Sequence, residues 1–183
     1  MKVNETKLKG CFICEPIVFG DNRGYFFEGF NESLFYEKTG VNFKLSQHNC
    51  SKSSRGVLRG LHFQVPPFEQ AKLVFVTSGE VLDVAVDIRK NSPTYGQHIT
   101  VILSEENKKR LYVPKGFAHG FVALTETASL SYLVEGNYSP AHDTGIMYND
   151  PDLNIDWILD ADLISISEKD SRLGSLSEFN SPF

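Results

Sequence analysis

The chain has 183 residues, which suits one domain with a full hydrophobic core. Apolar residues make up 41% and charged residues 22%, and the formal net charge is −5, so no nucleic acid and no membrane is expected as the main partner, since either favours a basic face. No run approaches the roughly 20 apolar residues of a membrane span, MKVNETKLKG has no apolar targeting core, and the three cysteines are expected to be free thiols in a cytoplasmic chain.

No repeat, low-complexity block or linker divides residues 1–183, which are therefore read as a single domain. Strand-like runs begin near 11–18 and 24–30, with Asp21-Asn22-Arg23-Gly24 as the turn between them. Asn31 is placed to cap a short helix through Glu37, ended by Gly40. Runs near 45–51 and 57–63 follow, and Lys72 to Thr77 reads as a buried strand. After the turn Ser78-Gly79-Glu80, alternation is complete: Leu82, Val84, Val86 and Ile88 on one face, Val81, Asp83, Ala85 and Asp87 on the other. Further runs lie near 98–103, 110–113, 117–124 and 129–138, and a second short helical stretch follows Asp160. About ten short strands with little helix predict an all-β sandwich or barrel, the jelly roll among them.

The densest chemical cluster is Arg59-Gly60-Leu61-His62-Phe63-Gln64, followed by Lys72. Histidine and lysine on neighbouring strands suit a base and a cation in one pocket; the alternative is a hydrogen-bonded core histidine and a solvated lysine. Strict alternation puts Arg59 and His62 on opposite faces, so service to one pocket requires a bulge at Gly60. His119 sits between Gly116 and Gly120 in an aromatic strand, and by itself reads as a wall histidine beside a close backbone approach. Tyr132 and Tyr138 are six apart and share a face if the strand is regular. Gln47 and Asn49 share a face with Ser51, where amides can read a pyrimidine or satisfy a sheet edge. Arg23 is either a phosphate clamp or a surface arginine.

Several chemistries lack their motifs. There is no GxGxxG and no Walker sequence. Cys11-Phe12-Ile13-Cys14 has no second half for a zinc site, and residues three apart on a strand face opposite ways. Beside His62 stands Gln64 where a metal-binding cupin needs another ligand, so no metal and no cofactor are expected.

In order along the chain come FxDxRGxFxE from Phe19 to Glu28, QxNxS from Gln47 to Ser51, then RGLHFQ, KLV, VDIRKNSPTYG, VPKGFAHGF, the two tyrosines and NDPDLNIDW. This series, from about residue 10 to about residue 172, resembles the dTDP-4-dehydrorhamnose 3,5-epimerases, metal-free members of the cupin class. The resemblance implies a cupin-type jelly roll with a few short helices. It also implies His62 as base, Asp170 as its paired acid, Tyr132 as proton donor and Lys72 as the cation near an enolate oxygen. Arg23, Phe26, Glu28, Gln47, Asn49, Arg59, His119 and Lys169 match ligand contacts, and Tyr138 matches a ring stacked on thymine. Asp143 stands where the family usually has glutamate, with a shorter reach. Homodimers with N-terminal strands crossing to the partner are implied, as is a dTDP-linked 4-keto-6-deoxy sugar as substrate. The rival readings are an enzyme inverting only C3 or C5, a ketoisomerase, a metal-dependent cupin and a non-catalytic sugar-binding module.

Overall fold

A computed structural model describes residues 1–183. In chain order the elements are β1 (Lys2–Glu5), β2 (Phe12–Glu15), β3 (Val18–Asp21), β4 (Gly24–Phe27), α1 (Glu32–Thr39), β5 (Gln47–Ser54), β6 (Leu58–Gln64) and β7 (Ala71–Ser78). They continue with β8 (Glu80–Asp87), β9 (His98–Ser104), β10 (Arg110–Val113), β11 (Phe117–Ala123), β12 (Thr127–Glu135) and β13 (Asp143–Gly145). Two single 3₁₀ turns follow, Ala161–Leu163 and Asp170–Arg172. One sheet has six strands in the order β1-β2-β10-β7-β12-β5, and the other has five in the order β13-β6-β11-β8-β9. All the ladders are antiparallel, and the two sheets pack face to face as a jelly roll. The hairpin β3–β4 stands apart as a two-stranded ribbon with no ladder to either sheet. No helix is long and apolar enough to cross a membrane.

Three apolar clusters hold this arrangement. Between the sheets lie Val74, Val76, Val81, Ala85, Leu111, Phe117, Phe121 and Leu130, among others. Outside the five-stranded sheet, Leu82, Val84, Val86 and Ile88 pack under the C-terminal segment through Leu153, Trp157 and Leu176. Beyond the six-stranded sheet, Phe12, Leu73 and Tyr112 are covered by Phe35 of α1 and by Phe43. Each fully buried Val, Leu, Ile or Phe among them stabilises the fold by roughly 1.5–3 kcal/mol. The alternation in β8 is thus real, but its fully apolar face is the outer one. Asp83, on the seemingly polar face, points between the sheets with no exposed area.

Helix α1 starts and stops as expected. Asn31 Oδ1 accepts from the Leu34 amide at 3.0 Å, and Gly40 closes the helix in the left-handed region at φ 72°. Other expectations change. The run at 11–18 is two strands, β2 and β3, on either side of Pro16-Ile17. Strands β1 and β13, which the sequence reading did not anticipate, add an edge to each sheet. Cys11 faces the inter-sheet core and Cys14 the outer cluster, and no disulfide forms.

Candidate active site

The cleft lies between β6 and β11 of one sheet and β5, β7 and β12 of the other. It comprises two cavities of about 220 and 540 Å³ that share Arg59, His62 and Tyr132 as walls. His62 and Tyr132 therefore approach one space from opposite sheets.

A bulge places Arg59 and His62 together. His62 pairs with His119 and Arg59 with Phe121, so Gly60 and Leu61 oppose the single residue Gly120. The extra residue restores both side chains to the inner face. Glycine is required on each side: a Cβ on Gly60, whose φ is +134°, meets the Gly120 Cα at 2.5 Å, and one on Gly120 meets the Arg59 carbonyl at 2.8 Å.

Asp170, buried in its 3₁₀ turn, sits 2.7 Å through Oδ1 from Nε2 of His62. Its Oδ2 accepts from the Gly60 amide at 3.4 Å. A carboxylate there favours the tautomer with the proton on Nε2, leaving the Nδ1 lone pair free as a base. Burial pushes the His62 pKa down, and Asp170 partly opposes that. Desolvation also lowers Lys72, which makes no ion pair although Asp143 and Asp83 favour its charge. Its side chain lines the smaller cavity.

Tyr132 has its phenol pushed up to about 12 by burial, so it stays a proton donor at neutral pH. Its hydroxyl lies 3.1 Å from Ser51 Oγ. The His119 ring meets Tyr132 edge-on at 6.3 Å, and its Nε2 is 2.9 and 3.0 Å from the two oxygens of Asp83. Burial raises Asp83 and His119 opposes the rise. Asp83 is thus a site residue that the sequence reading missed; the available signal was a carboxylate in the middle of an apolar strand.

Tyr138 reaches the cleft by a different route from the one its spacing suggested. The strand ends at Glu135, and Gly136, at φ 96°, turns the chain into a loop. That loop is held by Gln64, which is buried and fully engaged. Its Nε2 donates to the Phe68 and Asn137 carbonyls at 2.7 and 3.0 Å, and its Oε1 accepts from the Ser139 amide at 2.6 Å. Gln47 Oε1 accepts from the Tyr138 amide at 3.1 Å, so this amide supports the loop, while Asn49 lines the cavity. Asp143, despite its short side chain, accepts from the Tyr138 hydroxyl at 3.1 Å and from Lys169 Nζ at 2.5 Å. Arg59 donates to Ser53 Oγ at 3.1 Å.

Three expected contacts are not brought to this cleft by their own chain. Arg23, Phe26 and Glu28 lie on or beside the β3–β4 hairpin. Arg23 is paired with Asp21 at 2.6 Å on the surface, and Glu28 accepts from Asn31. No group of three His, Cys, Asp or Glu side chains is placed to hold a metal ion.

A family profile described as dTDP-4-dehydrorhamnose 3,5-epimerase matches residues 5–178. The chain belongs to the dTDP-4-dehydrorhamnose 3,5-epimerase family. A relative of that name from Methanothermobacter thermautotrophicus is 50% identical over 175 residues, 95% of this chain and 94% of its own. Among solved structures, the dTDP-4-dehydrorhamnose 3,5-epimerase of Elizabethkingia anophelis is 49% identical with a TM-score of 0.95, covering 98% of both chains. The dTDP-6-deoxy-D-glucose-3,5-epimerase of Legionella pneumophila, solved in complex with dTDP-4-keto-L-rhamnose, is 44% identical with a TM-score of 0.93 and covers 98% of this chain and 94% of its own. The cupin-type jelly roll of this epimerase family is the fold described above.

Proposed function

We propose that this chain inverts C3 and C5 of dTDP-4-dehydro-6-deoxy-D-glucose to give dTDP-4-dehydro-L-rhamnose. The observation that carries the reading is the Asp170-held His62 on one sheet facing the protonated Tyr132 on the other. Inversion needs removal of a proton from one face of a carbon and delivery to the opposite face.

The C4 ketone acidifies the hydrogens at C3 and C5. His62 Nδ1 takes one of them, Asp170 stabilises the imidazolium, and charge gathers on the ketone oxygen. Lys72 is the free cation for that enolate, a role typically worth roughly 3–4 kcal/mol per preorganised group. Tyr132 then gives its proton to the carbon from the other side. The steps move protons only, with no net oxidation. Tyr138 is the ring for thymine, while Asn49, Arg59, His119 and Lys169 contact the sugar or diphosphate.

Arg23, Phe26 and Glu28 act in trans in this reading. Strands β1 and β2 pair within their own sheet, so the β3–β4 hairpin is the N-terminal element that crosses in a homodimer. Supporting this, Phe19 is 63% and Phe26 70% exposed on a ribbon that no sheet claims. Residues 1–183 act as one catalytic domain in the cytoplasm.

NMR of the purified protein with the 4-keto substrate in D₂O tests the function. Deuterium at both C3 and C5 is expected. Deuterium at one carbon only moves the reading to a single-centre epimerase, and a migrated ketone moves it to a ketoisomerase.

A further inference from the structure

Arg110 has an unusual environment for an arginine. It is 6% exposed, in no ion pair, and its Nε has no hydrogen-bond partner. What it has instead are aromatic faces: its guanidinium carbon lies 3.9 Å from the Phe75 ring centre and 5.8 Å from that of Phe27. Phe75 belongs to the six-stranded sheet and Phe27 to the β3–β4 hairpin. A second cation repeats the pattern one residue pair away. Lys108 Nζ is 4.3 Å from the Tyr25 ring centre, and the carbonyl of Glu105 holds it at 2.9 Å. Tyr25 and Phe27 themselves stack at 5.9 Å and 25°. Gly29, where the hairpin rejoins the body, lies so close to Arg110 that a Cβ there meets Nη2 at 2.4 Å.

Alternation gives the hairpin two aromatic faces. Tyr25 and Phe27 are on the face the two cations hold, and Phe19 and Phe26, cross-strand partners, are on the other. No backbone ladder ties the ribbon to either sheet, so its orientation depends on these side-chain contacts. We infer that Arg110 and Lys108 form a cation–π clamp that fixes the angle of the hairpin and thereby aims Phe26 and Arg23 at the nucleotide site of a second copy of this chain. Arg110 and Lys108 are positioning residues, touching no substrate. Desolvation strengthens a cation–π contact, and the burial that leaves Arg110 6% exposed also pushes its guanidinium down to about 10. This inference rests on the reading above that the hairpin contacts nucleotide in trans.

The test uses the full-length chain with Arg110→Met, Arg110→Lys and Phe26→Ala. Methionine is flexible, fills apolar space without a charge and makes favourable contacts with aromatic rings. Arg110→Met is expected to weaken dTDP binding and raise KM by about 5- to 30-fold with kcat within about twofold. Arg110→Lys, which keeps a cation over Phe75, recovers most of the affinity. Amide exchange in residues 18–27 accelerates in Arg110→Met and returns toward the native rate in Arg110→Lys. Unchanged dTDP affinity in Arg110→Met, beside a loss in Phe26→Ala, overturns the clamp. Should Phe26→Ala also bind dTDP normally, the nucleotide contact is what fails, and the exchange rates decide the clamp alone: unchanged rates overturn it. A loss of kcat equal to the rise in KM also overturns it, because a clamp on the hairpin leaves the proton-transfer groups in place.

Discussion

His62 Nε2 lies 2.7 Å from Asp170 Oδ1, a bond between residues 108 apart in sequence. It joins β6 to the C-terminal segment and favours the tautomer with the proton on Nε2. Asp170→Asn keeps the shape but removes the charge that stabilises imidazolium, so kcat is expected to fall about 10²–10⁴-fold with dTDP affinity unchanged. Steady-state kinetics and calorimetry check it. A variant with native kcat would remove Asp170 from the mechanism.

The pH profile follows from three shifted groups. The folded pKa of His62 is below the 6.5 of a free imidazole, so the unprotonated base persists below pH 6.5 and the acid limb of kcat/KM is expected there. Asp170 raises that pKa, hence Asp170→Asn should move the limb further toward acid. Stability has the same sign: the unfolded chain binds the proton more readily, so the His62 contribution is complete above pH 6.5 and is lost as pH falls through the folded value. On the basic side, Lys72 loses its charge below its usual 10.5, whereas Tyr132 holds its proton to about 12. The basic limb should therefore shift in Lys72 variants, and the basic limb of solvent exchange should stay put in Tyr132→Phe. An acid limb above pH 6.5 would contradict this assignment.

Gln64 holds the loop that carries Tyr138. Gln64→Ala leaves two carbonyls and one amide without their partner, costing about 1–3 kcal/mol of stability. The loop bearing Tyr138 loosens, and dTDP should bind about tenfold more weakly. Hydrogen exchange at saturating substrate stays near native. Thermal melts, calorimetry and NMR exchange together read these outcomes, and native dTDP affinity would show that Gln64 does not position Tyr138.

Chelation should leave turnover unchanged. His62 Nε2 is committed to Asp170, His119 Nε2 to Asp83, and Gln64 to the backbone, which leaves the cleft without a donor set. Stoichiometric metal whose removal stops turnover would refute it.

Much of the site was legible because its signals are local. Alternation located most strands, Asn31 and Gly40 bounded α1, and the glycine in Arg59-Gly60-Leu61-His62 announced the bulge that the register shows. What was not legible depends on partners distant in sequence. The apolar side of β8 is outside because residues 150–183 cover it, and Asp83 is inside because His119 accommodates it. Lys2–Glu5 and Asp143–Gly145 carry too little apolar pattern to read as strands. Tyr138 was reached by a parity argument that Gly136 invalidates, though the ring still lines the cleft. Nothing about Arg110 in sequence distinguishes it from a surface arginine; its aromatic neighbours come from β7 and the hairpin.

The opposed placement of His62 and Tyr132 is tested most directly by following C3 and C5 in D₂O with native enzyme, His62→Ala and Tyr132→Phe. Native enzyme should place deuterium at both carbons with inverted configuration. His62→Ala should neither exchange nor invert, since no enolate forms. Tyr132→Phe should still exchange, with retention, because His62 can return a solvent-derived proton to the face it came from. Rapid exchange by His62→Ala, or full inversion by Tyr132→Phe, would contradict the account.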